Sequence, residues 1–319
     1  MRCGGRGERA DSTIPDASTP VELIRGHLLR LKSPDQLSIL ELKRMKVYIS
    51  CDLEGVCGVV SREHAWYGGK DYDRYRRLMT GEVNAAVEGA FEGGATEVVV
   101  NDAHGPMTNN LIEELNPEAT LITGSPKPLT QMQGIDSSFD LAAFTGYHAR
   151  RNAMTAVLEH TITGVVQELK INGKVVGETG INAGIAGYFG VPVGLVAGDD
   201  AVTLEARELM PDVETAQVKW AEARYAARCL HPTRARAMIK EGMRRATENR
   251  ERFKPYRVEP PITFEVTFDD TGMAELASLV PTSERVGPSR VRLTDDDYLV
   301  VFKGVRAMLH LARTLVRQT

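Results

Sequence analysis

Residues Val47 to Gly58 read V-Y-I-S-C-D-L-E-G-V-C-G. An apolar run ends in two carboxylates spaced i, i+2, and a glycine follows at once. Residues two apart on a strand point to the same face. Asp52 and Glu54 are therefore expected to project together from a strand's carboxyl end, where open α/β sheets bind ligands. Two adjacent acids repel, so they need a cation, a shared proton or a basic partner.

Outward from this stretch the pattern alternates strand and helix. Val47–Cys51 is the first strand. Asp71–Phe91 has apolar residues at helical spacing and ends at Gly93-Gly94. Strands follow at Thr96–Val100, Thr120–Ile122, Leu141–Thr145 and Val193–Ala197, and the Val98-Val99-Val100 run suits a sheet covered on both faces. Short helices are expected at Leu111–Leu115 and from Leu129. Asn172-Gly173 marks a hairpin between Val165–Ile171 and Lys174–Val176. Helices are expected over Thr179–Tyr188 and Ala201–Leu209, then a strand over Val213–Trp220. Tyr225–Arg250 reads as one long helical stretch, interrupted near His231-Pro232. After Pro260-Pro261 come a strand at Thr263–Phe268, a short helix at Gly272–Leu279, strands at Arg290–Leu293 and Tyr298-Leu299, and a last helix at Val301–Val316. The expected fold is α/β: a mostly parallel, doubly wound sheet with helices on both faces over residues 45–254, plus a smaller C-terminal α+β portion over 255–319. The first twenty residues are rich in Gly, Arg, Ser, Thr, Asp and Pro, and residues 1–44 are expected to be a disordered extension or the product of an upstream start codon.

Composition narrows the function. In 319 residues, 42% are hydrophobic and 26% charged, ordinary values for a globular protein. A net charge of −4 gives no electrostatic reason to expect nucleic acid or an anionic membrane. No apolar run approaches a membrane span. Four cysteines in a chain this long do not suggest a disulfide framework. With no signal-peptide pattern, a cytoplasmic location is expected.

Further polar residues gather at the strand ends. V-V-V-N-D-A-H-G places Asp102 and His104 after one strand, and F-T-G-Y-H-A places His148 after another. V-L-E-H-T presents His160, and V-V-G-E-T-G-I-N-A puts Glu178 at a helix start. Singly, each has an ordinary explanation. Asp102 is read as a turn residue or helix cap, and Glu178 could simply complement a helix dipole. Together, Asp52, Glu54, His104, His148 and Glu178 offer carboxylate and imidazole donors, expected on one edge of one sheet. That mixture suits Zn²⁺, Mn²⁺ or Co²⁺. Five donors exceed one catalytic zinc's needs and match two metals sharing a carboxylate.

The motifs S-C-D-L-E-G (50–55), N-D-A-H-G (101–105), G-Y-H-A (146–149), L-E-H-T (158–161) and G-E-T-G-I-N-A (177–183) occur in this order. In them, from Met45 to the C-terminus, the chain resembles the zinc-dependent D-aminopeptidase family associated with dipeptide-transport operons. The resemblance implies two zinc ions per subunit. Asp52 would bridge them, Glu54 and His104 would complete one site, and His148 and Glu178 the other. His160 would be catalytic without ligating metal. Small peptides with an N-terminal D-residue, of the D-Ala-D-Ala type, would be cleaved by a zinc-activated water. The family also implies a homo-oligomer, a decamer of two stacked pentameric rings.

Remaining residues carry weaker signals. Cys51 should face the core, and Cys57 lies in the loop nearby. Arg150-Arg151 could approach a substrate carboxylate or form a solvated pair. The loop with His64 and Trp66-Tyr67-Gly68-Gly69 could rim a pocket or meet a subunit. Asp199-Asp200 could orient a ligand or cap the next helix. One rival reading is a haloacid-dehalogenase-like, Mg²⁺-dependent phosphotransferase using Asp52 as nucleophile, with Asp199-Asp200 as its second acidic pair. It leaves His104, His148, His160 and Glu178 without a task. Another is a non-enzymatic ring scaffold with structural metals, but structural zinc sites are usually rich in thiolates.

Overall fold

The structure, a computed structural model, describes Met1 and residues 44–317. The extension expected over residues 1–44 thus lies outside the described residues except at its two ends. Arg44–Thr319 forms one compact unit.

Its centre is a seven-stranded sheet made of β1 (Lys46–Cys51), β2 (Glu97–Asp102), β3 (Ala119–Ile122), β4 (Leu141–Tyr147), β7 (Val193–Asp199), β8 (Glu214–Ala223) and β9 (Ala226–Cys229). The spatial order is β3-β2-β1-β4-β7-β8-β9. All neighbours are parallel except the β8–β9 pair at one edge. From β1 the chain moves outward one way through β2 and β3, then returns to place β4 on β1's other side. The strand order therefore reverses between β1 and β4, the kind of crevice where such sheets bind ligands.

Helices cover both faces, as expected. Val47, Ile49 and Cys51 face a core shared with α2 (Tyr72–Glu92) and α5 (Pro232–Glu248), preceded in the chain by the short α1 (Arg62–Ala65). Tyr48, Phe144 and Tyr147 face a second core, shared with α3 (Glu178–Tyr188) and α4 (Asp200–Leu209). Beyond it lies a second sheet of β5 (Val166–Ile171), β6 (Lys174–Val175), β10 (Ile262–Phe268), β11 (Glu284–Arg285) and β12 (Arg290–Asp295), ordered β11-β12-β10-β5-β6. It contributes Val166, Phe264 and Val291 to that core, beside α6 (Thr271–Ala277) and α7 (Tyr298–Ala312).

Several elements differ from the sequence reading. The second layer is not built from residues 255–319 alone, because the 166–175 hairpin leaves the central sheet to pair with β10. Ala226–Cys229 is not helical. It pairs antiparallel with β8, Lys219 opposite Cys229, so edge pairing overrides the helical preference of its alanines. The helix starts at Pro232, whose missing N–H costs nothing at the first position. Leu111–Leu115 forms turns, because the preceding asparagines are tied to Asp102. Tyr298-Leu299 opens α7, since Asp297 accepts the Leu299 and Val300 N–H groups at 2.7 and 3.1 Å.

At the crevice the backbones touch. The Gly55 N–H donates to the Gly146 carbonyl at 2.7 Å. A Cβ on Gly55 would lie 1.9 Å from the Tyr147 oxygen, and one on Gly146 would lie 2.1 Å from the Asp52 oxygen. Gly146 also has φ +67°, which glycine adopts freely. Gly55 therefore serves close packing of the two ligand-bearing segments. Gly146→Ala should destabilise the protein by more than about 3 kcal/mol, because main chain on both sides cannot yield. Urea unfolding measures this, and an unchanged midpoint would show that the two segments can separate at little cost.

Candidate metal centre

Asp52 and Glu54 leave the end of β1 rather than lying within it, since the strand stops at Cys51. Asp52 keeps one more link to β4, its N–H donating to Thr145 O at 2.8 Å. His104 follows β2 and His148 follows β4. Glu178 does not come from this sheet's edge. It opens α3, after the hairpin of the second sheet. The structure nevertheless brings all five side chains together, each 9% exposed or less. They line a cavity of about 1370 Å³, except His148, which lies beneath. Donor atoms of Asp52, Glu54 and His148 fall within 4.8 Å of one another, as do those of His148, His160 and Glu178.

Tautomers follow from the far side of each ring. His104 Nε2 lies 2.5 Å from the Ala65 carbonyl, so that nitrogen carries a proton. Its Nδ1 lies 2.9 Å from Asp52 Oδ1 and 2.8 Å from Glu54 Oε2. His148 Nδ1 faces its neighbour's carbonyl, Ala149 O, at 3.0 Å, leaving Nε2 to point inward. There Nε2 stands 3.5 Å from Asp52 Oδ2 and 3.4 Å from Glu178 Oε1. Among the described residues, His148 Nε2 has no hydrogen-bond partner despite full burial. Imidazoles held this way by backbone carbonyls are common at metal sites.

Either protons or a cation can compensate these charges. On the chain's own charges, burial and the Glu54 carboxylate push Asp52 up to about 7. Burial would also raise Glu178, but His148 outweighs it and holds the acid at about 2. Burial disfavours charged His104 and His148, yet the facing carboxylates lift both well above the usual imidazole value. A proton explains the short His104 contacts. It does not explain His148, whose contacts exceed ordinary hydrogen-bond length. Around a zinc with ligand distances near 2.1 Å, tetrahedral donors stand about 3.4 Å apart. His148 Nε2 stands at that spacing from both Asp52 Oδ2 and Glu178 Oε1. The residues thus fit a zinc-class cation.

His160 lies alongside. Its ring stacks on His148 with centroids 4.1 Å apart, and its Nδ1 faces Leu158 O at 2.9 Å. Its Nε2 is left toward the cavity, 3.9 Å from Glu178 Oε1. Burial and the neighbouring His148 lower its pKa, favouring the neutral ring.

Other expected residues settle into structural work. Asp102 organises its loop, accepting the N–H groups of Asn109 and Asn110, both at 2.7 Å. Asp199 caps α4 through Val202 N, and Asp200 accepts from Ala221 N, so neither reaches the cavity. That removes the second acidic pair from the phosphotransferase reading. Cys51 is core, and His64 stacks on Tyr75. Trp66 and Tyr67 line the cavity.

The sequence reading missed the residues that hold the ligands. Gln131 donates to Glu178 Oε2 and accepts from Asn182 at 2.8 Å. Lys219, fully buried on β8, donates to the carbonyls of Glu54, Val56 and Val59. For Lys219 the sequence hint was a lysine between Val218 and Trp220 on an expected strand.

This α/β scaffold, with a buried carboxylate–imidazole cluster at the switch point, defines a metalloenzyme. Comparison with known proteins makes it particular. Residues 45–307 match the family model described as D-aminopeptidase. A D-aminopeptidase of Bacillus subtilis (strain 168) is 39% identical over 269 residues, 84% of this chain and 98% of the relative. A solved structure, Zn-dependent D-aminopeptidase DppA from Bacillus subtilis, described as a self-compartmentalizing protease, matches with TM-score 0.82 and 39% identity, covering 84% of this chain and 98% of that one. The chain belongs to the D-aminopeptidase family.

Lys219→Met keeps the volume but strips the Glu54 and Val59 carbonyls of their donor, while Val56 O keeps the Val59 N–H, and each lost partner costs about 1–3 kcal/mol. The variant should unfold at lower urea and bind less metal per chain than wild type. Full metal content with an unchanged midpoint would show that the Glu54 loop does not depend on Lys219.

Proposed function

We propose that the protein is a zinc-dependent aminopeptidase acting on short peptides with an N-terminal D-residue, of the D-Ala-D-Ala type, with two zinc ions per chain. The spacing of the Asp52 and Glu178 oxygens from a buried His148 nitrogen that has no hydrogen-bond partner among the described residues carries this reading. The Zn-dependence of the Bacillus structure supports it. Asp52 offers one carboxylate oxygen toward His104 and the other toward His148. It is thus suited to serve both ions, with Glu54 and His104 on one side and His148 and Glu178 on the other.

Zinc bound there would lower the pKa of a water toward neutrality and polarise the substrate carbonyl. The chain supplies the rest. The carboxylates give the substrate's ammonium a negative surround. His160, neutral and with Nε2 toward the cavity, is placed to give or take a proton at the scissile amide. The Leu158 carbonyl and the His148 ring fix its orientation. A homo-oligomer, in the form of a decamer of two pentameric rings, agrees with the relative's description as self-compartmentalizing. A cytoplasmic setting agrees with the sequence reading, and no helix among the described residues is long and apolar enough to cross a membrane.

A panel of D- and L-aminoacyl dipeptides, assayed with and without chelator, tests the whole reading. Turnover should favour N-terminal D-residues, vanish with chelator and return with zinc, at about two ions per chain. Turnover that survives the chelator, or none on any peptide, would overturn it.

His160→Ala should keep wild-type zinc content while kcat falls by about 10²–10⁴, the usual range for general acid–base groups. An unchanged kcat would remove His160 from the chemistry, and lost zinc would make it a ligand.

A further inference from the structure

Besides the exposed Arg62 and Arg313, two half-buried cationic side chains on the cavity wall have no task in the chemistry above. Arg151 lies on the loop from His148 to His160, and Arg306 lies on α7. Both line the cavity that reaches Asp52, Glu54 and Glu178. Both are half-buried. The Arg151 main chain is fixed, its N–H donating to Thr161 Oγ1 at 3.1 Å beside His160. Its buried Nε has no hydrogen-bond partner among the described residues. Among the described residues, the hydrogen-bond partner of the Arg306 guanidinium is the His310 ring, Nη2 to Nε2 at 3.3 Å.

Among the described residues, neither guanidinium has a carboxylate within ion-pair distance. Arg224, on the same cavity, shows the contrast, pairing with Glu159 at 3.4 Å. The ordinary role of a cation at a helix's C-terminal end does not apply to Arg306. It stands more than a turn before the end of α7 at Ala312. Burial and the nearby Arg313 both disfavour its charge, and Glu178 only partly offsets them. An incoming anion would relieve that balance.

The cavity is therefore polarised. Its floor is acidic, and part of its wall presents two unpaired guanidiniums. A zwitterionic dipeptide has the matching polarity, an ammonium at one end and a carboxylate at the other. Guanidinium forks bind carboxylates with paired, charge-assisted hydrogen bonds. We propose that Arg151 and Arg306 receive the free C-terminal carboxylate of the substrate, so that the enzyme selects short peptides with an unblocked C-terminus. This rests on the aminopeptidase reading and adds the second anchor that reading lacks.

The test compares D-Ala-D-Ala with its C-terminal amide on the zinc-loaded enzyme. Wild type should favour the acid by about tenfold or more in kcat/KM, the scale of a charge-assisted hydrogen bond. Arg306→Met and Arg151→Met should each erode that preference through KM while leaving the amide unchanged, and Arg306→Lys should restore part of it. Equal rates on acid and amide in wild type would overturn the proposal and leave the aminopeptidase reading intact. An equal loss on both substrates in the variants would also overturn it. Turnover of neither substrate would count against the aminopeptidase reading instead. Calorimetric binding of acid and amide to the chelated wild type would then decide the arginines' role, equal affinities overturning it and tighter binding of the acid supporting it.

Discussion

Three buried carboxylates facing two imidazoles are the constraint around which this molecule is arranged. Asp52, Glu54 and Glu178 sit where water cannot screen them, and a buried charge without a partner costs several kcal/mol. The fold meets that demand at the one place where its strand order reverses. There, β1, β2 and β4 end side by side, and α3 brings the last acid across from the second layer. The imidazoles cannot turn away, because backbone carbonyls hold their outer nitrogens. Positive charge must enter the cluster for the arrangement to persist, as protons or as metal. The His148 spacing favours metal.

Holding the donors in place requires unusual packing beneath them. The Gly55–Gly146 contact brings the β1 and β4 exits closer than any side chain would permit. Lys219 gathers three carbonyls of the Glu54 loop from below, its own charge disfavoured by burial and partly restored by Asp199. Asp102 performs a similar service for the loop after His104, using four N–H donors from Asn109 and Asn110. These groups never reach the cavity. Their effect is to make the donor positions a property of the sheet rather than of mobile loops.

The parallel core and its ligand-bearing strand ends were legible because each depends on local signals. V-V-V-N-D-A-H-G states both a strand buried on two faces and the residues that follow it. The reading of Asp52 and Glu54 as strand neighbours gave the right proximity for a partly wrong reason, since both lie past the strand and the turn at Gly55 brings them together. Other features were illegible because they are non-local. Nothing within Ala226–Cys229 announces that an edge of β8 is free to pair with it. Nothing near Glu178 says that its hairpin joins a different sheet. Lys219 and Gln131 act on residues 165 and 47 positions away, so their roles exist only in three dimensions.

The second layer turns the crevice of a doubly wound sheet into a walled cavity. A doubly wound sheet alone would offer an open crevice above β1 and β4. Here α3, α7 and the segments next to β5 and β10 rise beside it, so Ile181, Phe302, Val165 and Asp269 form walls to a space of about 1370 Å³. That exceeds the roughly 300–1,000 Å³ of typical small-molecule pockets. Volume therefore does little to choose among short peptides. On the proposed reading, selection comes from charge placed at fixed points: an acidic floor for an ammonium and the Arg151 and Arg306 guanidiniums for a carboxylate. A peptide with both ends free can satisfy both at once.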